Sequence, residues 1–299
     1  MAKIIVLGAM KGGVGKSVST YNLAYSLKKL GKNVLVVDFD SSANITRCVV
    51  EDIKAIEISI GDLMMNQMDE EEQPNPAEYI INRNGVDFIP SSKVLSAVDA
   101  KLRLEMGAEK MLACILEPLR EDYDYILIDT CPSLNTLTIN ALAAADEVII
   151  AANPQFWAMV GLEEFLLTVK KIKNRVNSKL DVSGILLTMC EERTNLCKVI
   201  TEEVAETFNG KLRIFDSKIP TTVKVGESVY YGEPLLEYAP RTKACRAYQN
   251  LAKELIEDEG QFTKKKSISR RSGFDQSGNS KCCRQWTGND ACGEDSTIP

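Results

Sequence analysis

The chain has 299 residues, 44% hydrophobic and 26% charged, with a net charge of −6 and no histidine. That length can bury a sizeable core, while the missing imidazole excludes histidine-based triads and histidine zinc sites. No apolar run reaches the roughly 18 residues of a membrane-crossing helix, and the N-terminus enters an apolar strand directly, so a cytoplasmic protein is expected.

Residues 4–7, IIVL, are short and β-branched enough for a buried strand. A glycine-rich turn, GAMKGGVGKS at 8–17, follows it. Leu23, Ala24, Leu27 and Leu30 then recur at helical spacing until Gly31. Strand, glycine loop, Lys-Ser and helix form the pattern of a phosphate-cradling P-loop. Gly12, Gly13 and Gly15 let the backbone turn its N–H groups inward, with Val14 between them. Lys16 supplies a cation for the β- and γ-phosphates, the Ser17 hydroxyl suits Mg²⁺, and Val18 continues into the helix.

A second lysine, Lys11, precedes the glycine pair, and an ordinary P-loop has no need of it. The run K-G-G-V-G-K-S resembles the deviant Walker A motif of the ParA/MinD superfamily of ATPases. The resemblance implies that Lys11 reaches across a dimer into the partner's nucleotide.

Residues 33–38 read as the second strand, followed by FDSSAN at 39–44. Asp38 and Asp40 fall at its carboxyl end, where the crevice of a parallel sheet opens. This stretch resembles the family's D-x-D-P-Q-G-N motif with Ser41-Ser42-Ala43 in place of Pro-Gln-Gly. The resemblance implies that Asp40 positions the attacking water and that a switch loop follows. Further on, 60–65 suggest a short helix and 86–90 a strand. Ser91 and Ser92 suit a cap for a helix with Val94, Leu95, Val98, Leu102 and Met106 inward, and residues 112–119 suggest another helix despite Pro118.

The apolar strand 124–129 ends in Asp129, the Walker B pattern, in which the carboxylate orders a water on Mg²⁺. Thr130 to Ser133 read as the opening of a helix, with Cys131 where the family's D-x-P-P-S has its first proline. Strands are expected at 146–152, 182–189 and 214–219, and helices at 162–172 and 195–208. Seven or eight strands alternating with helices indicate an α/β protein: a single doubly wound, mostly parallel sheet flanked by helices.

Lys170, Lys171, Lys173, Arg175 and Lys179 crowd one segment, which by itself reads as a solvated helix face. Residues 192–195, ERTN, resemble a stretch of the partition ATPases, implying that Arg193 helps to bind DNA without sequence preference. IPTTVK at 219–224 stands where the family has I-P-R-N-V-R. There the resemblance implies a DNA-phosphate contact for Lys224 and adenine contacts for Pro220 and Thr222.

The match runs to about residue 259, giving one ATPase domain at 1–259. The remainder, 260–299, is polar and basic, carries Cys282, Cys283 and Cys292, and reads as a disordered tail without the large apolar repeats of a membrane helix. The resemblance to ParA/Soj-type partition ATPases implies ATP and Mg²⁺ as cofactors and an ATP-dependent homodimer. It also implies non-specific DNA and a ParB-like centromere-binding protein as partners, nucleoid association when ATP is bound, and no membrane. Two alternatives stay open: a MinD-like membrane-positioning ATPase, and a nucleotide-sensing DNA-binding regulator with negligible hydrolysis.

Overall fold

A computed structural model describes residues 1–154, 158–191, 195–208 and 212–271, without the side chains of 158–160, 195–197, 201, 205, 208 and 258–271. The chain divides into a unit Met1–Glu257 and a unit Asp258–Pro299. Among the described residues seven strands form one sheet: β1 (Lys3–Gly8), β2 (Val34–Phe39), β3 (Ile81–Arg83), β4 (Val86–Ile89), β5 (Tyr125–Thr130), β6 (Glu147–Ala152) and β7 (Asp181–Leu187). Their order is β3-β4-β2-β5-β1-β6-β7. Every pairing is parallel except β3 with β4.

Helices cover both faces, so the central strands are apolar throughout rather than alternating. Ile4 and Val6 of β1 pack into one core and Ile5 and Leu7 into the other. The helices are α1 (Lys16–Lys29), α2 (Thr46–Val49), α3 (Ile60–Met68), α4 (Pro76–Tyr79), α5 (Val94–Leu102), α6 (Met111–Leu116) and α7 (Thr136–Ala144). After them come α8 (Ala158–Arg175), α9 (Asn195–Phe208), α10 (Val223–Tyr230), α11 (Leu235–Tyr238) and α12 (Lys243–Arg271). The first core takes apolar residues of α3 and α5 to α9. The second takes those of α1, α2, α11 and the first part of α12.

Three polar side chains of α1 also bind the last quarter of the unit. Ser19 Oγ lies 3.2 Å from Tyr248 Oη, Tyr21 Oη donates to Gly232 O at 3.0 Å, and Asn22 Oδ1 accepts from Leu235 N at 2.8 Å. Each is a polar group withdrawn from water and given a partner on a segment distant in sequence.

Several local expectations are corrected. Pro118 ends α6 early, and residues Glu117–Glu121 tighten into a 3₁₀ turn. Met106 is exposed, because α5 ends at Leu102 and leaves Met106 beyond its apolar face. Residues 130–133 do not open a helix: α7 starts at Thr136, where Asn135 Oδ1 caps Thr138 N at 3.0 Å. The strand expected at 214–219 reduces to isolated bridges, Ile185 with Ile214 and Cys190 with Pro220. Between them Glu254 of α12 accepts from Asp216 N and Ser217 N at 3.0 and 2.9 Å, so those backbone groups leave the ladder. Helix α12 runs on to Arg271, past the start of the tail expected from residue 260. Residues 272–299 lie outside the described residues.

Candidate functional site

Parallel register brings three strand ends to one level. Leu7 of β1 is opposite Asp129 of β5, and Asp129 is opposite Asp38 of β2. Above them lies the glycine loop. Gly13 and Gly15 hold φ of 73° and 78°, left-handed values that a Cβ would strain. Thr188 Oγ1, just past β7, donates to Val14 O at 2.7 Å and fixes the middle of the loop. Gly15 is the N-cap of α1 and offers no side-chain cap, and no acidic residue stands in the first turn. The first-turn N–H groups and the positive helix end therefore point to an anion site.

A cleft of about 580 Å³ opens there, lined by Gly12, Gly13, Gly15, Lys16, Ser17 and Val18 at one end. Asp40, Ser42, Asn44 and Arg47 also line it, together with Val229 and the exposed Met189 and Tyr230 of its lip. The volume lies within the roughly 300–1,000 Å³ of small-molecule sites. Lys16 is 6% exposed, and its burial lowers the ammonium pKa while Asp129 and Asp40 hold it up. Burial, reinforced by the neighbouring Asp38 charge, pushes the Asp129 carboxyl up to about 8. The Ser17 hydroxyl tempers that rise, yet it stands outside ordinary hydrogen-bond geometry, and both Asp129 oxygens are buried without a hydrogen-bond partner. Asp38, pushed up to about 6 by burial, keeps one partner: Thr46 donates its N–H and hydroxyl to Oδ2 at 2.8 and 2.6 Å, while Oδ1 has none.

Unpartnered buried carboxylate oxygens are costly and suit a divalent cation or its water. Among the described residues no group of three or more His, Cys, Asp or Glu could hold a metal by itself. A cation beside Ser17 and Asp129 would need phosphate oxygens and water to complete its shell, the habit of Mg²⁺ at nucleotides.

Asp40 accepts from Ser42 N at 2.9 Å through Oδ1, while its carbonyl accepts from Ala43 N at 2.9 Å and from Ser91 Oγ at 2.7 Å. Ala43, where the resemblance implies glycine, is left-handed at φ 53°. Ser91 thus braces the loop after β2 from the end of β4, and Ser92 alone caps toward α5, accepting from Val94 N at 3.2 Å. Ser91 N in turn donates to Thr46 Oγ1 at 2.8 Å, linking Asp38, Thr46, Ser91 and Asp40 in one chain.

The remaining expected residues lie apart from the cleft. Lys11 is exposed and faces a small recess with Met10, Asn153 and Phe165. Pro220 and Thr222 are half-buried and not among the lining residues; Thr222 Oγ1 instead caps α10, accepting from Lys224 N at 3.3 Å. Lys224 Nζ pairs with Glu227 at 2.7 Å and lies 5.6 Å from the centre of the Tyr238 ring, and the Glu227 bond raises its pKa. Arg193 lies outside the described residues. Sequence reasoning missed Thr46, Ser91, Thr188 and Tyr230. A polar residue flanking an apolar strand is the only signal the first three carry, and many such residues do nothing.

The AAA domain family matches residues 2–182. The chain is 36% identical over 258 residues to the sporulation initiation inhibitor protein Soj of Bacillus subtilis (strain 168), covering 85% of this chain and 98% of the relative. It is 34% identical over 263 residues to the chromosome-partitioning ATPase Soj of Treponema pallidum (strain Nichols), covering 87% and 100%. A solved structure, the cobyrinic acid a,c-diamide synthase of Mycobacterium smegmatis with bound ATP analog and magnesium, matches with a TM-score of 0.73 and 25% identity, covering 86% of this chain and 95% of that one. By these likenesses the chain, with its glycine loop and strand-end aspartates, belongs to the ParA/Soj family of P-loop ATPases.

Proposed function

We propose that the chain is a partition ATPase whose ATP-bound form is a face-to-face homodimer that holds DNA without sequence preference. Slow hydrolysis to ADP and phosphate would end that grip, stimulated by a ParB-like centromere-binding partner. The observation that carries the reading is Asp129, buried with two unpartnered oxygens beside Lys16 under an anion-binding helix end.

Lys16, with the N–H groups of Gly13 to Ser17, neutralises and orients the phosphates. Ser17 and Asp129 would hold Mg²⁺, which when bound spreads the charge of the β- and γ-phosphates. Asp40 positions the attacking water, and Lys11, exposed outside its own cleft, contributes across the dimer. Exposed Lys170, Lys171, Arg175 and Lys179, with Arg193, supply phosphate contacts to DNA, while Lys224 must first leave Glu227. Pro220 and Thr222 complete the adenine side once nucleotide is bound. Among the described residues no helix is long and apolar enough to cross a membrane.

ATP turnover measured together with retention on long DNA tests the reading. ATP-dependent, salt-sensitive retention that decays with phosphate release supports it. No retention at low salt with ATP removes the DNA half. The altered Ser41-Ser42-Ala43 loop, left-handed at a non-glycine residue, favours one second reading: a nucleotide-sensing regulator. Retention without phosphate release would select it.

A further inference from the structure

Helix α12 continues well past the part that the core holds. Its apolar residues packed in or against the second core recur from Ala244 to Ile256. From there to Arg271 the large apolar residues of the helix are Phe262 and Ile268 alone. The stretch lies past residue 259, where the resemblance to the family ends, and the function proposed above gives it no part.

Its charge runs against that of the chain. The whole sequence carries −6, yet residues 264–271, KKKSISRR, hold Lys264, Lys265, Lys266, Arg270 and Arg271 without an acid. Positions three and four apart are neighbours on a helix surface. At those spacings no carboxylate accompanies any of the five within the helix, and Lys266 and Arg270 are neighbours of like charge. The helix dipole favours cations in the last turn, which accounts for Arg270 and Arg271. Lys264, Lys265 and Lys266 lie more than a turn earlier, beyond its reach. A polyanion meeting such a run sheds its condensed counterions, and that release drives binding.

The chemistry suits a nucleic-acid backbone better than a membrane. Phe262 and Ile268 are six positions apart, about 120° round the helix, so no apolar face stands ready to enter a bilayer. From Lys264 to Arg271 the helix rises about 10 Å, and duplex DNA presents one negative charge per about 1.7 Å of its axis.

We propose that the end of α12, residues 264–271, is a second DNA-binding site, which contacts backbone phosphates without sequence preference and without bound nucleotide. It stands apart from the ATP-dependent grip and keeps the chain near DNA after that grip has ended.

The test is binding of the nucleotide-free full chain to a short duplex, read by fluorescence anisotropy over a range of salt. One variant carries Lys264→Gln, Lys265→Gln, Lys266→Gln, Arg270→Gln and Arg271→Gln together. A second carries Lys264→Arg, Lys265→Arg and Lys266→Arg, and a third is Lys16→Ala. The glutamine variant should bind at least about tenfold more weakly at low salt, with a log–log salt slope shallower by about three to five. Its melting midpoint should be unchanged. The arginine variant and Lys16→Ala should each stay within about twofold of wild type, since the first keeps the charge and the second alters the nucleotide cleft. No duplex binding by nucleotide-free wild type overturns the proposal, and so does wild-type affinity in the glutamine variant or a loss in Lys16→Ala. Binding to phosphatidylglycerol vesicles in place of the duplex would overturn it in favour of a membrane. Adding Mg-ATP to the same samples reads the grip proposed above by itself. A gain with ATP that survives in the glutamine variant supports two separate sites, whereas a gain that vanishes there would merge them and overturn the proposal.

Discussion

The two ends of the cleft are built by different means. At the inner end, Asp38, Asp129 and the start of the glycine loop ride on adjacent central strands, held by ladder bonds and by cores on both faces. At the outer lip, Arg47 and Tyr230 sit on short helices and are exposed, and Met189 follows β7 at a φ of 52°. Rigid strands place charges that must be accurate to a fraction of an ångström, whereas the lip can move with a ligand. The loop from Asp40 to Ala43 joins the two, and it is braced at Ser91 rather than locked.

The comparison can be broken hardest at the inner end. Lys16→Ala should lower ATP affinity on the order of 100-fold, because a buried charge-assisted donor is lost while Asp129 and Asp40 are left facing the phosphates; titration calorimetry reads it directly. Asp40→Ala should leave ATP affinity nearly intact but lower turnover roughly 10²-fold or more. Phosphate release with light scattering checks this, and a monomer in saturating Mg-ATP would contradict the assigned role.

Smaller effects sharpen the contrast at the joining loop. Ser91→Ala removes one bond to the Asp40 carbonyl, worth about 1 kcal/mol, so turnover should fall about fivefold at unchanged ATP affinity. A matching loss of affinity would mean that Ser91 shapes the inner end instead. Least of all, Ala43→Gly relieves a left-handed residue at φ 53° and should raise stability by about 0.5 kcal/mol, near 1–2 °C in melting temperature.

Legibility in the sequence follows the same division. The inner end is readable because apolar β-branched runs ending in Gly8, Asp38 and Asp129 can hardly be anything but buried parallel strands, and the helix expected at 195–208 is α9, Asn195–Phe208. The bracing network was not. Ser91 reads as a helix cap because a serine before a helix usually is one, and only the fold brings it to Asp40, 51 residues away in sequence. The edge strand β3 was invisible for a related reason: three half-exposed or exposed residues, Ile81 to Arg83, carry no periodic signal and exist as a strand only through β4. Residues 214–219 misled in the opposite sense, being apolar enough for a strand but anchored by a carboxylate on a helix that comes later.

The bonds from α1 to Gly232, Leu235 and Tyr248 bear on how the protein is made. During synthesis the nucleotide loop leaves the ribosome early, yet the partners of Ser19, Tyr21 and Asn22 emerge more than 200 residues later. Until then the inward face of α1 has neither its polar partners nor the apolar cover of Leu251 and Leu255. A chain cut short by a premature stop or a protease before that point keeps the glycine loop and Lys16 but lacks three of the bonds that hold α1 to the rest of the unit. The glycine loop is thus complete in sequence long before its helix is fully supported in the fold.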